Sequence, residues 1–349
     1  MVGLDISSSS IKLVELARTR KGYALKALAH VALPREAIVE NSIMDTTAVQ
    51  QALLDAVEIG RPSTRNVAVA LAGNAVIVKA VQMPVASELE LEGRIEFEAD
   101  QHIPFSMDEV YLDFQILGPS REDEGSMDVL LVACKREVVD DLQIVLHDAG
   151  LELKLVDCAV FALENAAEIT SEHRLVPNPD TVSPEDAEVH ALIHLGATMM
   201  HVNITINGVS AFVRDHGFGA DQLTKEIQEA HGIGFDEAER MKKERFSDVS
   251  PEAVEAFYAG LVAEIQRALD YYSATQPEYA VNKMLISGGG ALIPGIADEL
   301  QGRVGIDTVV LNPFEQVEID PKRFDADAIM REGPLYTIAT GLALRSFDQ

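Results

Sequence analysis

The chain has 349 residues, 47% of them hydrophobic, with 57 acidic and 28 basic residues and a formal net charge of −29. This length and apolar content exclude a globally disordered chain and predict two domains or one bilobed unit. The negative charge repels nucleic-acid backbones and anionic lipid headgroups, so we expect no nucleic-acid binding and no electrostatic attachment to a bilayer. A small local basic pocket stays compatible with this charge.

The two cysteines and the apolar runs indicate a cytoplasmic location. Cys134 and Cys158 stand alone, without the CxxC or Cys/His spacing of a zinc site, which predicts buried thiols in a reducing compartment. No apolar run approaches the roughly 20 residues that span a bilayer. Residues 1–20 also lack the pattern of a signal peptide. We therefore expect a cytoplasmic protein without direct membrane insertion, which reaches a membrane only through a partner.

The first 75 residues alternate strands with one helix. Residues 2–6, 11–17 and 23–33 have the apolar pattern of strands, and residues 66–73 read as a buried strand. Between them, residues 45–60 predict a helix with Asp45 or Thr46 as its N-cap and Gly60 just past its end.

A different pattern begins near residue 76. It has the order strand, helix, strand, strand, helix, strand and ends with the strand at 151–157. Its first helix is predicted over 87–103 and opens with a capping box of Ser87 and Glu90. The order predicts a small α+β insertion over 76–155.

The second half of the chain repeats the alternation of strands and helices. A helix over about 159–170 precedes a Pro- and Asp-rich linker at 176–188. Strands follow in quick succession, and Asn207-Gly208 is a strong hairpin turn signal. The remaining predicted elements are helices at 219–231, 235–246 and 251–276, a strand, glycine turn and helix over 283–305, and a buried apolar helix over 333–346.

The two halves begin alike. The segment "VGLDISSSSIKLVEL" aligns with "ALIHLGATMMHVNIT", so that Asp5 corresponds to His194, 189 residues further on, and Ser7 corresponds to Gly196. Each segment has an apolar strand, a polar residue at its end, a turn of small residues and a second strand. Duplicated units that face each other across a cleft would bring both turns to one ligand.

Both turns have the chemistry of a phosphate site. Small residues let backbone N–H groups surround an anion, while the hydroxyls of Ser and Thr add donors. Lys12 adds a positive charge, and Asp5 could hold a hydrated Mg²⁺. A polar hairpin turn without a ligand is the alternative for either turn alone, and the internal match favours the ligand.

Two further motifs follow in the second half. "SGGGALIPGI" at 287–296 places three glycines between a strand and a helix, where a ligand could lie against the backbone. In "FDEAERMKKE" at 235–244, Glu239 and Lys242 lie three residues apart on one helix face. Taken alone, the first is also compatible with a plain helix-initiating turn and the second with a solvated charged helix.

These four motifs in this order resemble the actin-like ATPase fold, in which duplicated RNase H-like domains surround a nucleotide cleft. The whole chain resembles the PilM family of type IV pilus assembly, through "GLDISSSSIKLVEL", "QHIPF", "DEVYLDF", "HLGATMMHVNI" and "LISGGGALIPGIADEL". The resemblance implies an α/β fold of four subdomains, with a small α+β subdomain 1C like that of FtsA. It assigns residues 1–75 and 156–180 to subdomain 1A, 76–155 to 1C, 189–230 and 283–349 to 2A, and 231–282 to 2B.

The resemblance also implies ligands and partners. ATP with Mg²⁺ is expected in the cleft, and the N-terminal cytoplasmic peptide of the inner-membrane protein PilN between subdomains 1A and 1C. PilO and PilP, reached through PilN, and the pilus motor ATPases are further expected partners, at the inner face of the inner membrane. The implied nucleotide-binding residues are Asp5, Ser7, Ser8, Ser9, Ser10, Lys12, His194, Gly196, Ala197, Thr198, Glu239, Lys242, Gly288, Gly289 and Gly290, with Asp5 holding Mg²⁺ through water.

The sequence departs from the family pattern at His194, where the second turn normally begins with Asp. An imidazole cannot replace a carboxylate in holding the hydration shell of Mg²⁺ or in positioning water, though it could donate to a phosphate oxygen. We therefore expect nucleotide binding with weak or no hydrolysis. The alternatives are an FtsA-like filament-forming ATPase, a type II secretion scaffold and a small-molecule kinase, which would need a carboxylate base.

Overall fold

The computed structural model describes residues 1–120, 123, 125–170 and 182–347. Its first part contains β1 (Val2–Ile6), β2 (Ser10–Thr19), β3 (Gly22–Ala32), β4 (Ile38–Val39), β5 (Ser42–Ile43), α1 (Thr46–Gly60), β6 (Asn66–Leu71), β7 (Val76–Pro84), α2 (Glu88–Glu92), α3 (Ile95–Ala99), β8 (Val110–Pro119), β9 (Ser126–Lys135), α4 (Arg136–Asp148), β10 (Glu152–Cys158) and α5 (Ala159–Glu168). Of the linker predicted at 176–188, residues 176–181 lie outside the described residues.

The second part contains β11 (Val189–Leu195), β12 (Met200–Ile206), β13 (Val209–His216), α6 (Asp221–His231), α7 (Phe235–Glu244), α8 (Pro251–Thr275), β14 (Lys283–Ser287), α9 (Ile296–Val304), β15 (Asp307–Val310), β16 (Val317–Glu318), α10 (Ala326–Glu332) and α11 (Thr337–Leu344). Asn207 and Gly208 have φ of 52° and 87°, which suits the predicted two-residue hairpin turn. Within the described ranges, the helices are too short or too polar to cross a bilayer.

Two sheets confirm the predicted repeat. The first sheet has the order β10-β6-β1-β2-β3-β16, and the second has the order β13-β12-β11-β14-β15. In each, three antiparallel strands are followed by two parallel ones. The equivalence extends to the register, because Asp5 pairs with Lys12 and His194 pairs with His201. The residues that follow β1 and β11 therefore occupy matching places.

The boundaries of α1 differ slightly from the sequence prediction. Asp45 is the N-cap and accepts a hydrogen bond from the backbone of Ala48. Gly60 is the last helical residue, and Arg61 takes the left-handed conformation that was expected of the glycine. Gly60 instead permits close packing, since a Cβ there would lie 3.0 Å from Cδ2 of Leu13.

A third, three-stranded sheet has the order β7-β9-β8 and is called the inserted sheet here. Its core contains Leu91 and Ile95, which project from α2 and α3 onto the strands. The single helix predicted over 87–103 is wrong in this respect: it is interrupted at Gly93, a residue with poor helix propensity. The capping box of Ser87 and Glu90 is present at the start of α2.

The last two elements predicted within the insertion contact the first sheet. Strand β10 pairs in parallel with β6, and α4 contributes Val139, Leu142, Val145 and Leu146 to the core that also contains α1. The three strands of the inserted sheet lie within residues 76–135. The sequence analysis predicted that subdomain 1C extends to residue 155. The division into four subdomains remains a prediction.

Two helices connect the sheets. Helix α5 follows a strand of the first sheet, yet Asn203 of β12 donates to the carbonyl of Val160 in α5 at 3.0 Å. Helix α11 comes last in the chain and packs on β1, where a Cβ on Gly3 would lie 1.9 Å from the oxygen of Ala339. All eight residues of α11 are buried, which confirms the buried C-terminal helix. Each of the two helices therefore contacts the sheet formed by the other half of the chain, and together they join the two sheets at the back of the cleft.

Candidate nucleotide-binding site

Two hairpin turns face each other between the sheets. Ser7 N–H donates to the Ser10 carbonyl at 3.1 Å in the turn between β1 and β2, and Gly196 N–H donates to the Met199 carbonyl at 2.9 Å in the turn between β11 and β12. The Oγ of Ser8 lies 2.9 Å from Oγ1 of Thr198. Both turns border a cavity of about 1100 Å³, which is large enough for a nucleotide.

All the predicted site residues except Gly288 line this cavity. Gly288 instead serves the packing of the glycine turn, because it has φ of 86° and a Cβ there would lie 2.5 Å from the carbonyl oxygen of Leu195. Gly290 does line the cavity, and its Cβ would lie 2.4 Å from the Leu195 side chain. Glycine is needed in this turn because the backbone of Gly288 and Gly290 packs directly against Leu195 of β11. The same packing places Gly289 and Gly290 at the cavity wall.

The first hairpin carries a buried ion pair. Lys12 Nζ lies 2.9 Å from Oδ2 of Asp5 and donates to Oγ of Ser7 at 3.1 Å. The pairing follows from the register, because Asp5 and Lys12 are direct partners across β1 and β2. Asp5 therefore neutralises the positive charge of Lys12, which the sequence analysis expected to contribute to a phosphate site.

The second hairpin carries stacked imidazoles in the place of that ion pair. The rings of His194 and His201 are 5.9 Å apart between centroids, and Nδ1 of His194 lies 3.1 Å from Oγ of Ser287. Burial lowers the pKa of His194 to about 3, so this imidazole is neutral at physiological pH. It offers hydrogen bonds and no charge.

Asp215 supplies a carboxylate that the sequence reasoning missed. Its Oδ1 lies 2.6 Å from Nδ1 of His201, and its Oδ2 accepts the backbone N–H of Gly73. Burial raises the pKa of Asp215, but His201, the backbone N–H of Gly73 and His216 together outweigh this effect and the pKa is lowered. Counting from the Asn207-Gly208 turn would set Arg214 opposite His201; an irregularity in the pairing at Ile204 and Thr205 shifts the register by one residue and brings Asp215 there instead.

Helices α6 and α7 form another wall. Lys242 Nζ donates to the Ala220 carbonyl at 3.1 Å and to Oγ1 of Thr224 at 2.6 Å, and it also contacts the carboxylate of Glu239. Burial raises the pKa of Glu239, but Lys242, Thr224 and Lys243 together outweigh this effect and the pKa is lowered. Glu239 and Lys242 therefore meet on one helix face, as their spacing predicted, and each neutralises the other.

The cavity wall is not electropositive. Its charged side chains are four cations, Lys12, Lys242, Lys243 and Arg214, and six acids, Asp5, Glu40, Asp215, Asp221, Glu239 and Glu332. A phosphate chain would therefore have to be held by backbone N–H groups and hydroxyls, with its charge balanced by a cation that it carries itself. Mg²⁺ in proteins is commonly held by one or two carboxylates together with phosphates, and Asp5 fits that role.

The fold and the paired hairpins define the class of protein. A chain in the PilM–PilN type IV pilus biogenesis complex is similar over 100% of this chain and 98% of its own length, with 28% identity and a TM-score of 0.84. The ethanolamine utilization protein EutJ from Carboxydothermus hydrogenoformans (14% identity, TM-score 0.53, 98% of this chain and 88% of that chain) and MreB 5 of Spiroplasma citri bound to AMPPNP (13%, 0.51, 99% and 95%) share the fold. The chain has the actin-like ATPase fold.

The family follows from the sequence match. Residues 3–347 match the family described as type IV pilus assembly protein PilM. The chain belongs to the PilM family, which confirms the resemblance found in its motifs.

Proposed function

We propose that this chain is an ATP-binding scaffold of type IV pilus assembly, which binds the N-terminal cytoplasmic peptide of PilN. The observation that carries the proposal is the match to the PilM family over residues 3–347. It is supported by the similarity over the full chain to the protein in the PilM–PilN complex. Through PilN, the chain would be held at the inner face of the inner membrane and would communicate with PilO, PilP and the pilus motor ATPases.

The cleft between the two hairpins would hold the nucleotide. Backbone N–H groups of the two turns, with the hydroxyls of Ser7 to Ser10 and Thr198, would bind the phosphates. Glu239 and Lys242 would border the ribose or adenine, together with Gly289 and Gly290. Mg²⁺ would balance the charge of the phosphates, and Asp5 would hold it through water.

Binding without rapid hydrolysis fits the charges in the cleft. The second hairpin presents the neutral ring of His194 where the family pattern has a carboxylate. Asp215 is already bonded to His201 and to the backbone of Gly73. No carboxylate among the described residues of the second hairpin is therefore free to orient an attacking water, so the bound nucleotide would act as a structural ligand or a slow switch.

The test is calorimetric titration of the chain with the N-terminal cytoplasmic peptide of PilN from the same organism, with and without ATP and Mg²⁺. We expect saturable binding of the peptide and none of a scrambled peptide of the same composition. Separate titration with ATP and Mg²⁺ tests the cleft. Absence of peptide binding under every nucleotide condition contradicts the scaffold, and absence of ATP binding contradicts the proposed cofactor.

A further inference from the structure

Arg35 lies on a tight turn that is fastened to the first hairpin. Ala37 N–H donates to the Pro34 carbonyl at 3.2 Å, and Leu33 N–H donates to the Ser9 carbonyl at 2.9 Å. Leu33 and Ala37 are buried, and Glu36 has φ of 62°, a conformation that non-glycine residues rarely adopt. The turn therefore holds Arg35 in a fixed place beside the phosphate-binding turn, and its side chain is exposed.

Phe235 approaches Arg35 from the opposite side of the cleft. It is the first residue of α7, the helix whose residues Glu239, Lys242 and Lys243 line the cavity. The guanidinium carbon of Arg35 lies 3.9 Å from the centre of the Phe235 ring, the geometry of a cation–π contact. The contact thus joins the β3–α1 connection of the first sheet to a helix that packs with the second sheet.

The Arg35–Phe235 contact lies at the rim of the cavity. Ala32, three residues before Arg35, and Glu239, four residues after Phe235, line the cavity. Arg35 and Phe235 themselves do not. Asp221 does line it, and Arg35 is among the cations that partly offset the rise that burial produces in the pKa of Asp221. The guanidinium is therefore close to the cavity and outside it.

We propose that Arg35 and Phe235 form a clasp that retains the nucleotide and sets the rate at which it leaves. This inference rests on the proposed binding of a nucleotide in the cleft. The back of the cleft is held by α5 and α11, which pack against each other with backbone-to-backbone closeness at Gly341 and Ala162. The Arg35–Phe235 contact involves neither of these helices, and it joins the two sides of the cleft in addition to the contacts of Ser8 with Thr198 and of Gly73 with Asp215.

The clasp can open without disturbing either core. Arg35 is exposed, and Phe235 is half-buried and does not belong to the hydrophobic cores formed by the described residues. A cation–π contact at an exposed site is weak. Such a contact slows the opening of a cleft by a modest factor and does not lock it.

The experiment measures nucleotide release. The full chain is loaded with a fluorescent N-methylanthraniloyl ATP and Mg²⁺, mixed with excess unlabelled ATP in a stopped-flow instrument, and compared with Arg35→Ala and Phe235→Leu. The leucine keeps most of the apolar volume and removes the aromatic face. We expect release to become about two- to fivefold faster in each variant, and no faster in the double variant than in either single one, because both changes break one contact.

Arg136→Ala is the matched control. Arg136 is also exposed and lies 4.4 Å from the ring centre of Tyr111, but this pair belongs to the inserted sheet and its neighbouring helix. Release from this variant should equal that of the unaltered protein. Thermal unfolding of all variants shows whether they are folded. If Phe235→Leu does not fold, the release rate of Arg35→Ala alone tests the proposal.

Four results would contradict the clasp. Release unchanged in Arg35→Ala, or an additive effect of the two substitutions, shows that the pair does not act as a unit on the cleft. An equal acceleration in Arg136→Ala shows a general effect of losing a cation. If the unaltered protein binds no nucleotide at all, the proposed cofactor fails and the clasp fails with it, whereas binding with unchanged release contradicts the clasp alone.

Discussion

Ser8 and Thr198 place their hydroxyl oxygens 2.9 Å apart, although 190 positions separate them in the chain. Each residue lies at the tip of one of the two matching hairpins. The two repeated halves of the chain therefore contact each other at the tips of these hairpins. This pair of hydroxyls closes one side of the cavity between the two turns.

Substitution Ser8→Ala removes one partner of this contact and one donor to a bound phosphate. We expect the affinity for ATP with Mg²⁺ to fall about two- to tenfold, the range of one neutral hydrogen bond. The midpoint of thermal unfolding should change little, because Ser8 is only half-buried and Thr198 is exposed. Calorimetric titration measures the affinity, with Ser247→Ala, an exposed serine outside the cavity, as the control. An unaltered affinity in Ser8→Ala contradicts the prediction.

Hydrolysis depends on the group at position 194. We expect ATP turnover by the unaltered protein well below about one per second, the lower end for ordinary enzymes. His194→Asp introduces a carboxylate that can hold the hydration shell of Mg²⁺ or orient water, and should raise turnover at least about tenfold. Release of inorganic phosphate measures both rates, and His147→Asp on the exposed side of α4 should change neither. Turnover of tens per second in the unaltered protein would overturn the idea.

Glu164 makes the stability of the chain depend on pH. Burial in the contact between α5 and the second sheet raises its pKa from 4.5 to about 7, although Asn203 donates to it at 3.0 Å. The folded protein therefore favours the neutral acid. Its contribution is fully present below about pH 4.5 and is lost as the pH rises through about 7.

Substitution Glu164→Gln keeps the acceptor for Asn203 and removes the titration. We expect the free energies of unfolding of the variant and the unaltered protein to be similar at pH 5, and the variant to be more stable by about 1–2 kcal/mol at pH 8. Urea denaturation at both pH values measures this difference, with the exposed Glu58→Gln as the control. A difference that is the same at pH 5 and pH 8 would show that Glu164 does not titrate in this range.

The crossing of α5 and α11 requires a glycine. A Cβ on Gly341 would lie 1.7 Å from the carbonyl oxygen of Ala162, so Gly341→Ala must push the helices apart and should destabilise the fold by about 2–3 kcal/mol or more. Gly302 in α9 has open space around it, so Gly302→Ala should stabilise by about 0.5–1 kcal/mol through helix propensity. Chemical denaturation of both variants tests the pair, and equal effects would argue against the close crossing.

Most elements could be predicted from the sequence because their signals are local. Asp45 and the pair of Ser87 and Glu90 marked helix starts by their capping chemistry, and Asn207-Gly208 marked a hairpin. The break at Gly93 was missed, since the apolar spacing of Leu91 and Ile95 also suits a continuous helix.

The sequence by itself determined the repeat of strand, small-residue turn and strand, because alternating apolar residues and turn residues are properties of neighbouring positions. It therefore predicted the two turns that border the cavity. Only the tertiary structure decided that β10 joins the first sheet, that α5 and α11 exchange between the sheets, and that Asp215 and Arg35 meet partners on the other side of the cleft. These are contacts between distant segments, fixed by packing and strand register, and no local pattern of residues encodes them.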